Sequence, residues 1–263
     1  MKNNNKQRST LLIMLIVTIA IHHAYANSTA EHPVFIMHSN QQLNSPTSTW
    51  LTHTYTELFN RIGVQLRIVH FPGERANIAA QSGDIDGQFT RIYEYQDLYS
   101  NQIRIDVPII KLSTIAYVRV TDQISLPTSW NSLKDLKLRI DYVRGIINSQ
   151  QNLEKQVKAP YLTTSTDLRE GLLKLKYNRT DIFIHGNIAV YPALQTDDYK
   201  HHLTEAGVLN VTLLYPYIHH NHFRLAPQIE TTLKALHEEG LVLQYCIDAY
   251  GEGYEEFCRS IQP

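Results

Sequence analysis

Cysteine is nearly absent from this 263-residue chain, which has 2. That excludes a Cys-rich zinc module and a disulfide-dense miniprotein. An excess of one charge sign is lacking too: 24 Lys and Arg face 25 Asp and Glu, a net −1. A strongly basic nucleic-acid binder and an acidic disordered tail are thereby excluded. Only one long apolar run occurs, at residues 11–21, so a multi-pass membrane protein is excluded. There is no Gly-x-Ser-x-Gly elbow, no Cys–His arrangement, no Walker loop and no Gly-rich dinucleotide turn. No stretch rich in Pro, Gly or Ser divides the chain, so its length reads as two lobes joined by strands.

The apolar run sits behind Lys2, Lys6 and Arg8, and small residues follow it at Ala24 and Ala26. This is the pattern of a secretory signal peptide over residues 1–26, cleaved after Ala26. The run is too short for a spanning helix, which needs roughly 20 apolar residues. Cleavage removes three basic residues and no acidic one, leaving 21 basic against 25 acidic residues. Export to the periplasm changes the meaning of the cysteines. Cys246 and Cys258 form an even pair in an oxidising compartment and are expected to be disulfide-linked.

In the remaining chain, short apolar or alternating runs at 34–38, 64–71 and 85–89 read as strands. Between them, Leu51, Tyr55, Leu58 and Ile62 mark one helix face, and residues 74–81 form a second helix closed by Gly83. This is β-α-β-α-β, which calls for a parallel sheet with right-handed crossovers. A β-rich stretch over 111–121 leads to a second set. Its strands are expected at 138–143, 161–163 and 181–185, and its helices at 146–157, around Leu168, Leu172 and Leu175, and at 187–194. A strand at 211–217 and helices around Leu233 and over 241–249 complete the chain.

Several marks in this order resemble the bacterial periplasmic solute-binding proteins of family 3. They are Phe71-Pro72-Gly73-Glu74-Arg75-Ala76, Gly83-Asp84-Ile85-Asp86-Gly87 with Arg91, and Val107-Pro108-Ile109. In the second set they are Ser132-Leu133-Lys134-Asp135-Leu136 and Tyr142-Val143-Arg144-Gly145, and the last is the stretch 215–225. The resemblance implies the type II bilobal α/β fold, amino-acid-binding-like, each lobe a mainly parallel sheet flanked by helices. Lobe 1 would be discontinuous, 27–115 plus 209–263, and lobe 2 would be 116–208, with two crossing strands as the hinge. It further implies a monomer that captures a small polar or anionic solute in the cleft and hands it to the membrane permease of an ABC transporter. The alternative is an adaptor that docks on a membrane sensor protein. A third reading is a dehydratase-like enzyme, whose acid or base would be Glu74, Asp141 or His185.

Arg91, Arg75 and Arg144 are the candidate anion contacts. Arg91 is expected to follow the third strand, Arg75 to open a helix, and Arg144 to end a strand before Gly145, where guanidinium groups can hold a carboxylate. Trp50, Phe71, Tyr93 and Tyr117 are the candidate aromatic walls. Amino-acid receptors of the resembled family carry an aspartate after the strand at 181–185, to hold the ligand's ammonium. Here His185 and Gly186 stand there, so ligands without an α-ammonium are expected to bind at least as well as amino acids. His219-His220-Asn221-His222 and His201-His202 lack helical i, i+4 pairing and nearby acids, and read as solvated loops rather than zinc ligands. No catalytic residue, metal or cofactor is expected.

Overall fold

The computed structural model describes residues 34–71 and 73–263. The expected leader, the Pro72 turn and the side chain of Glu74 lie outside the described residues. Contacts divide the chain after Val34, and Phe35–Pro263 form one compact unit.

Helix α1 (Pro46–Arg61) shows how sequence becomes structure here. Ser45 Oγ accepts the Ser48 N–H at its start, and proline occupies its first turn. Trp50, Leu51, Tyr55 and Leu58 fall on one stripe and are all fully buried. Each such side chain contributes about 1.5–3 kcal/mol through burial. Gly63, at φ 72°, turns the chain out of the helix.

Strands β1 (Val34–His38), β2 (Gln65–Val69) and β3 (Gly87–Ile92) alternate with α1 and α2 (Gly73–Ser82), followed by the short α3 (Tyr95–Leu98) and β4 (Gln102–Arg104). The long β5 (Ile110–Arg119) leads to β6 (Ile140–Val143), α4 (Ile147–Gln156), β7 (Leu162–Ser165), α5 (Leu168–Lys176), β8 (Ile182–Gly186) and α6 (Asn187–Leu194). The chain returns along the longer β9 (Leu203–His219) and ends in α7 (Ala226–Glu238), α8 (Leu241–Tyr250) and α9 (Glu255–Ser260). Among the described residues one sheet runs β2-β1-β3-β9-β5-β8-β6-β7, with β4 also on β9. β1 and β3 are parallel, as are β6 with β7 and β6 with β8. β9 is antiparallel to β3, β4 and β5, and β5 is antiparallel to β8.

Two expectations shift. The third strand runs to Ile92 rather than 89, because its ladder with β9 continues through Arg91↔Tyr215 and Ile92↔Leu214. The last strand starts at Leu203 rather than 211. Glu205, Gly207 and Asn210 are poor strand formers, but pairing with β5 overrides that preference. Gly207 is required by a close approach: a Cβ there would lie 2.3 Å from the Leu126 carbonyl oxygen.

The buried side chains sort into three clusters. The first joins Phe35, Trp50, Phe89 and Ile110 to Ile218, Leu233, Cys246 and Phe257. The other two draw on residues 115–209 and lie on opposite faces of β5: Ala116 and Val118 join one, Ile115 and Tyr117 the other. Cys246 in α8 and Cys258 in α9 are disulfide-bonded within the first cluster.

Candidate functional site

A cavity of about 710 Å³ opens where segments of the first cluster meet segments of the other two, a volume usual for a small-molecule site. Its floor is the β5–β9 ladder. Ile110, Leu112 and Thr114 alternate along β5, and Leu112 and Ile110 pair with Thr212 and Leu214 on β9. Period two sends all five to one face.

The wall from the first cluster's side is the loop after β1 and the start of α1, from Asn40 to Thr47, with Tyr250 of α8. Polar bonds pin this loop. Thr90 donates its hydroxyl proton to Asn40 Oδ1 (2.7 Å), and the Gln41 amide donates to the same oxygen (3.0 Å). The hydroxyls of Thr47 and Tyr250 are 2.7 Å apart. The facing wall is built by helix starts. Gly145, at φ 90°, turns the chain from β6 into α4, whose Asn148 and Ser149 line the cavity beside Ile146. His185 and Gly186 end β8 and open α6, which adds Ile188, Ala189 and Pro192. Neither α4 nor α6 has a side-chain cap on its first N–H groups.

The residues singled out from sequence fall elsewhere. Trp50 is core: it is fully buried and donates its indole N–H to the Val242 carbonyl at 2.8 Å. Tyr117 is core as well, fully buried in the cluster under α5 and α6, where desolvation raises its hydroxyl pKa well above the usual value. Both rings lie on the inward stripe of their element, so neither can wall a cleft. Arg91 lies inside β3 rather than after it. Its Nη1 donates to the Thr90 carbonyl (3.1 Å) and its guanidinium lies 5.2 Å from the Tyr95 ring centre. Arg75 is exposed on α2, 6.0 Å from the Phe71 ring. Phe71 stacks on His38, whose Nε2 donates to the Phe71 carbonyl (3.1 Å). Tyr93 is half exposed beneath the Arg104 guanidinium. Arg144 is exposed in the turn that leads to Ile146. None of these seven lines the cavity; Arg91 and Arg144 flank it in sequence through Ile92 and Ile146.

The histidine stretch is solvated only in part: His220 and Asn221 are exposed, but His219 ends β9 and is 3% exposed, and His222 Nε2 lies 2.6 Å from Asp86 Oδ1. Asp141 lies in the core between β7 and β8, away from the cavity, while His185 lines it. The loop at 40–47, Thr114, Ser149, Thr212 and Tyr250 were missed. The available signals were the polar run that ends β1 and the capping serine before a proline.

Burial lowers the pKa of His38, His185, His219 and His237 below the ordinary value of about 6.5. The folded chain therefore keeps these rings neutral where the unfolded chain protonates them. Their contribution to stability is complete above about 6.5 and is lost as pH falls from there toward their lowered folded values. Glu205, raised by desolvation, acts in the opposite sense. The urea midpoint should fall between pH 7.5 and 5, and His219→Asn should flatten that slope. A midpoint that rises on acidification contradicts the assignment.

No family model matches the chain. An uncharacterized protein of Shewanella oneidensis is 29% identical over 197 residues, 74% of each chain. Among solved structures, the GluR0 ligand-binding core in complex with L-glutamate superposes with a TM-score of 0.65 at 11% identity, covering 85% of this chain and 100% of the other. An amino acid ABC transporter substrate-binding protein from Streptococcus pneumoniae, bound to L-arginine, gives 0.61 at 13% identity over 82% and 94%. A mutant of ArgBP from T. maritima gives 0.60 at 14% identity over 83% and 96%. The chain has the two-lobed type II periplasmic-binding-protein-like fold.

Proposed function

We propose that this chain, with the type II periplasmic-binding-protein-like fold as premise, captures a small polar or anionic solute in its central cavity for an ABC transporter. Residues 1–26 would be removed on export, and the mature protein would begin at Asn27 in the periplasm. The segments 27–115 and 209–263 would act as one lobe and 116–208 as the other, with β5 and β9 as the hinge about which they close. The observation that carries this reading is a single cavity of about 710 Å³ whose walls come from both sets of core clusters and whose floor is the pair of strands joining them. Solved proteins with this fold include ones whose names state amino-acid or arginine binding, which supports capture of a solute. Binding rather than catalysis is favoured by the lining. Among the described lining residues there is no carboxylate, lysine or cysteine, and the one imidazole, His185, is held neutral by burial.

A thermal-shift screen against amino acids, polyamines, organic acids and peptides tests this. A solute at one hundred times its Kd stabilises by about 2.7 kcal/mol, or roughly 5–10 °C for a chain of this size. Thr212→Trp, which fills the cavity from its floor, should abolish the shift. An equal response in parent and Thr212→Trp, or no response to any compound, overturns the reading.

A further inference from the structure

We propose that the solute held here carries no cationic group: it is a small carboxylic acid with an aliphatic body and without the α-ammonium of an amino acid. This rests on the cavity being the solute site. An ammonium taken out of water needs a countercharge. Among the described residues that line the cavity, none is Asp or Glu. The carboxylate nearest in sequence, Asp167 beside Leu168, is spent on capping α5, where its Oδ1 accepts the Glu170 N–H at 2.8 Å. At the end of β8 the chain places His185 and Gly186. The His185 Nδ1 lies 3.3 Å from the Gly186 carbonyl, so with the proton on Nδ1 the ring offers Nε2 as one neutral acceptor and no countercharge.

The same walls favour an anion. The starts of α4 and α6 open on the cavity without side-chain caps, leaving N–H groups and the positive end of each helix dipole facing it. The hydroxyls of two buried residues point the same way independently. Ser149 is 2% exposed and Thr114 is 7% exposed; both line the cavity, and neither side chain makes a hydrogen bond within the described residues. They come from α4 and from the β5 floor, and each can donate to a carboxylate that displaces water there. Leu112, Leu168, Ile188 and Leu214 supply an apolar surface for an aliphatic chain.

Calorimetry on the mature protein with matched pairs tests this: 4-methyl-2-oxopentanoate against leucine, and pyruvate against alanine. The oxo acid of at least one pair should bind ten or more times tighter than its amino counterpart, and Ser149→Ala and Thr114→Val should each weaken it about tenfold. Both changes are nearly isosteric, and the ratio within a pair is read on the parent protein without any variant. Binding in which neither oxo acid is tighter than its amino counterpart overturns the proposal. So does tight binding of arginine, putrescine or 4-methylpentanamide with no binding of the acids, although solute capture then survives if Thr212→Trp blocks it. Silence toward every probe, the amines and the amide included, overturns both.

Discussion

Asp141→Ala is expected to lower the unfolding free energy by about 2–4 kcal/mol, the cost of a stranded buried hydroxyl together with the void. Asp141 is fully buried in β6, between β7 and β8. Its carboxylate accepts the Thr163 hydroxyl at 2.6 Å and the Ser165 hydroxyl, and Lys174 Nζ lies 3.4 Å away. Alanine would strand the fully buried Ser165 hydroxyl and leave a void, and each unsatisfied buried group costs about 1–3 kcal/mol. Lys174→Met should cost less. The two hydroxyls would still serve the carboxylate, and Lys174 is partly exposed with other partners in Glu170 and the Thr164 carbonyl. Urea denaturation of both variants checks the order. A loss below 1 kcal/mol in Asp141→Ala would show that the network contributes little.

Removing the disulfide with Cys246→Ala and Cys258→Ala together is expected to cost about 3 kcal/mol in the chain-entropy model for a loop of this length, with a separation of 12 residues. That corresponds to a melting temperature lower by roughly 6–12 °C. The effect should reach the cavity. The bond ties α8, which carries Tyr250 in the cavity wall, to α9, whose Phe257 stacks on Tyr191 of α6 at 4.3 Å between ring centres. Looser helices there should weaken the solute-induced thermal shift as well as the baseline stability. An unchanged melting temperature, or equal stability of the parent with and without reductant, contradicts this.

The cavity was only partly legible in the sequence. His185 and Gly186 stood out because they occupy the strand end where the resembled family is expected to carry an acid, and both line the cavity. The arginines and aromatic rings drew attention for their chemistry, yet side-chain chemistry does not say which way an element faces. Trp50 shares a stripe with Leu51, Tyr55 and Leu58, so the periodicity that revealed α1 also placed the indole in the core. Thr114, Ser149 and Thr212 are ordinary residues in isolation. Their interest comes from meeting at one place, where the Thr114 and Ser149 hydroxyls make no hydrogen bond within the described residues.

The sequence by itself determined what depends on neighbours along the chain. Local steric and capping rules set the run of short strands and amphipathic helices, the Asp167 cap of α5, the opening of α6 after Gly186, and the turns at Gly63, Gly83 and Gly240 in positive φ. The compartment reading made the two cysteines a pair, and they are bonded. Tertiary structure alone decided the pairing of β9 with its neighbours: the ladder with β5 carried β9 back to Leu203, and the ladder with β3 carried that strand to Ile92 and placed Arg91 within it. It also decided the membership of the cavity, which gathers residues from near 40, 112, 148, 186, 212 and 250. A period of two or 3.6 marks a face as apolar or polar. Whether that face meets the core, water or a solute depends on contacts between segments tens to hundreds of residues apart.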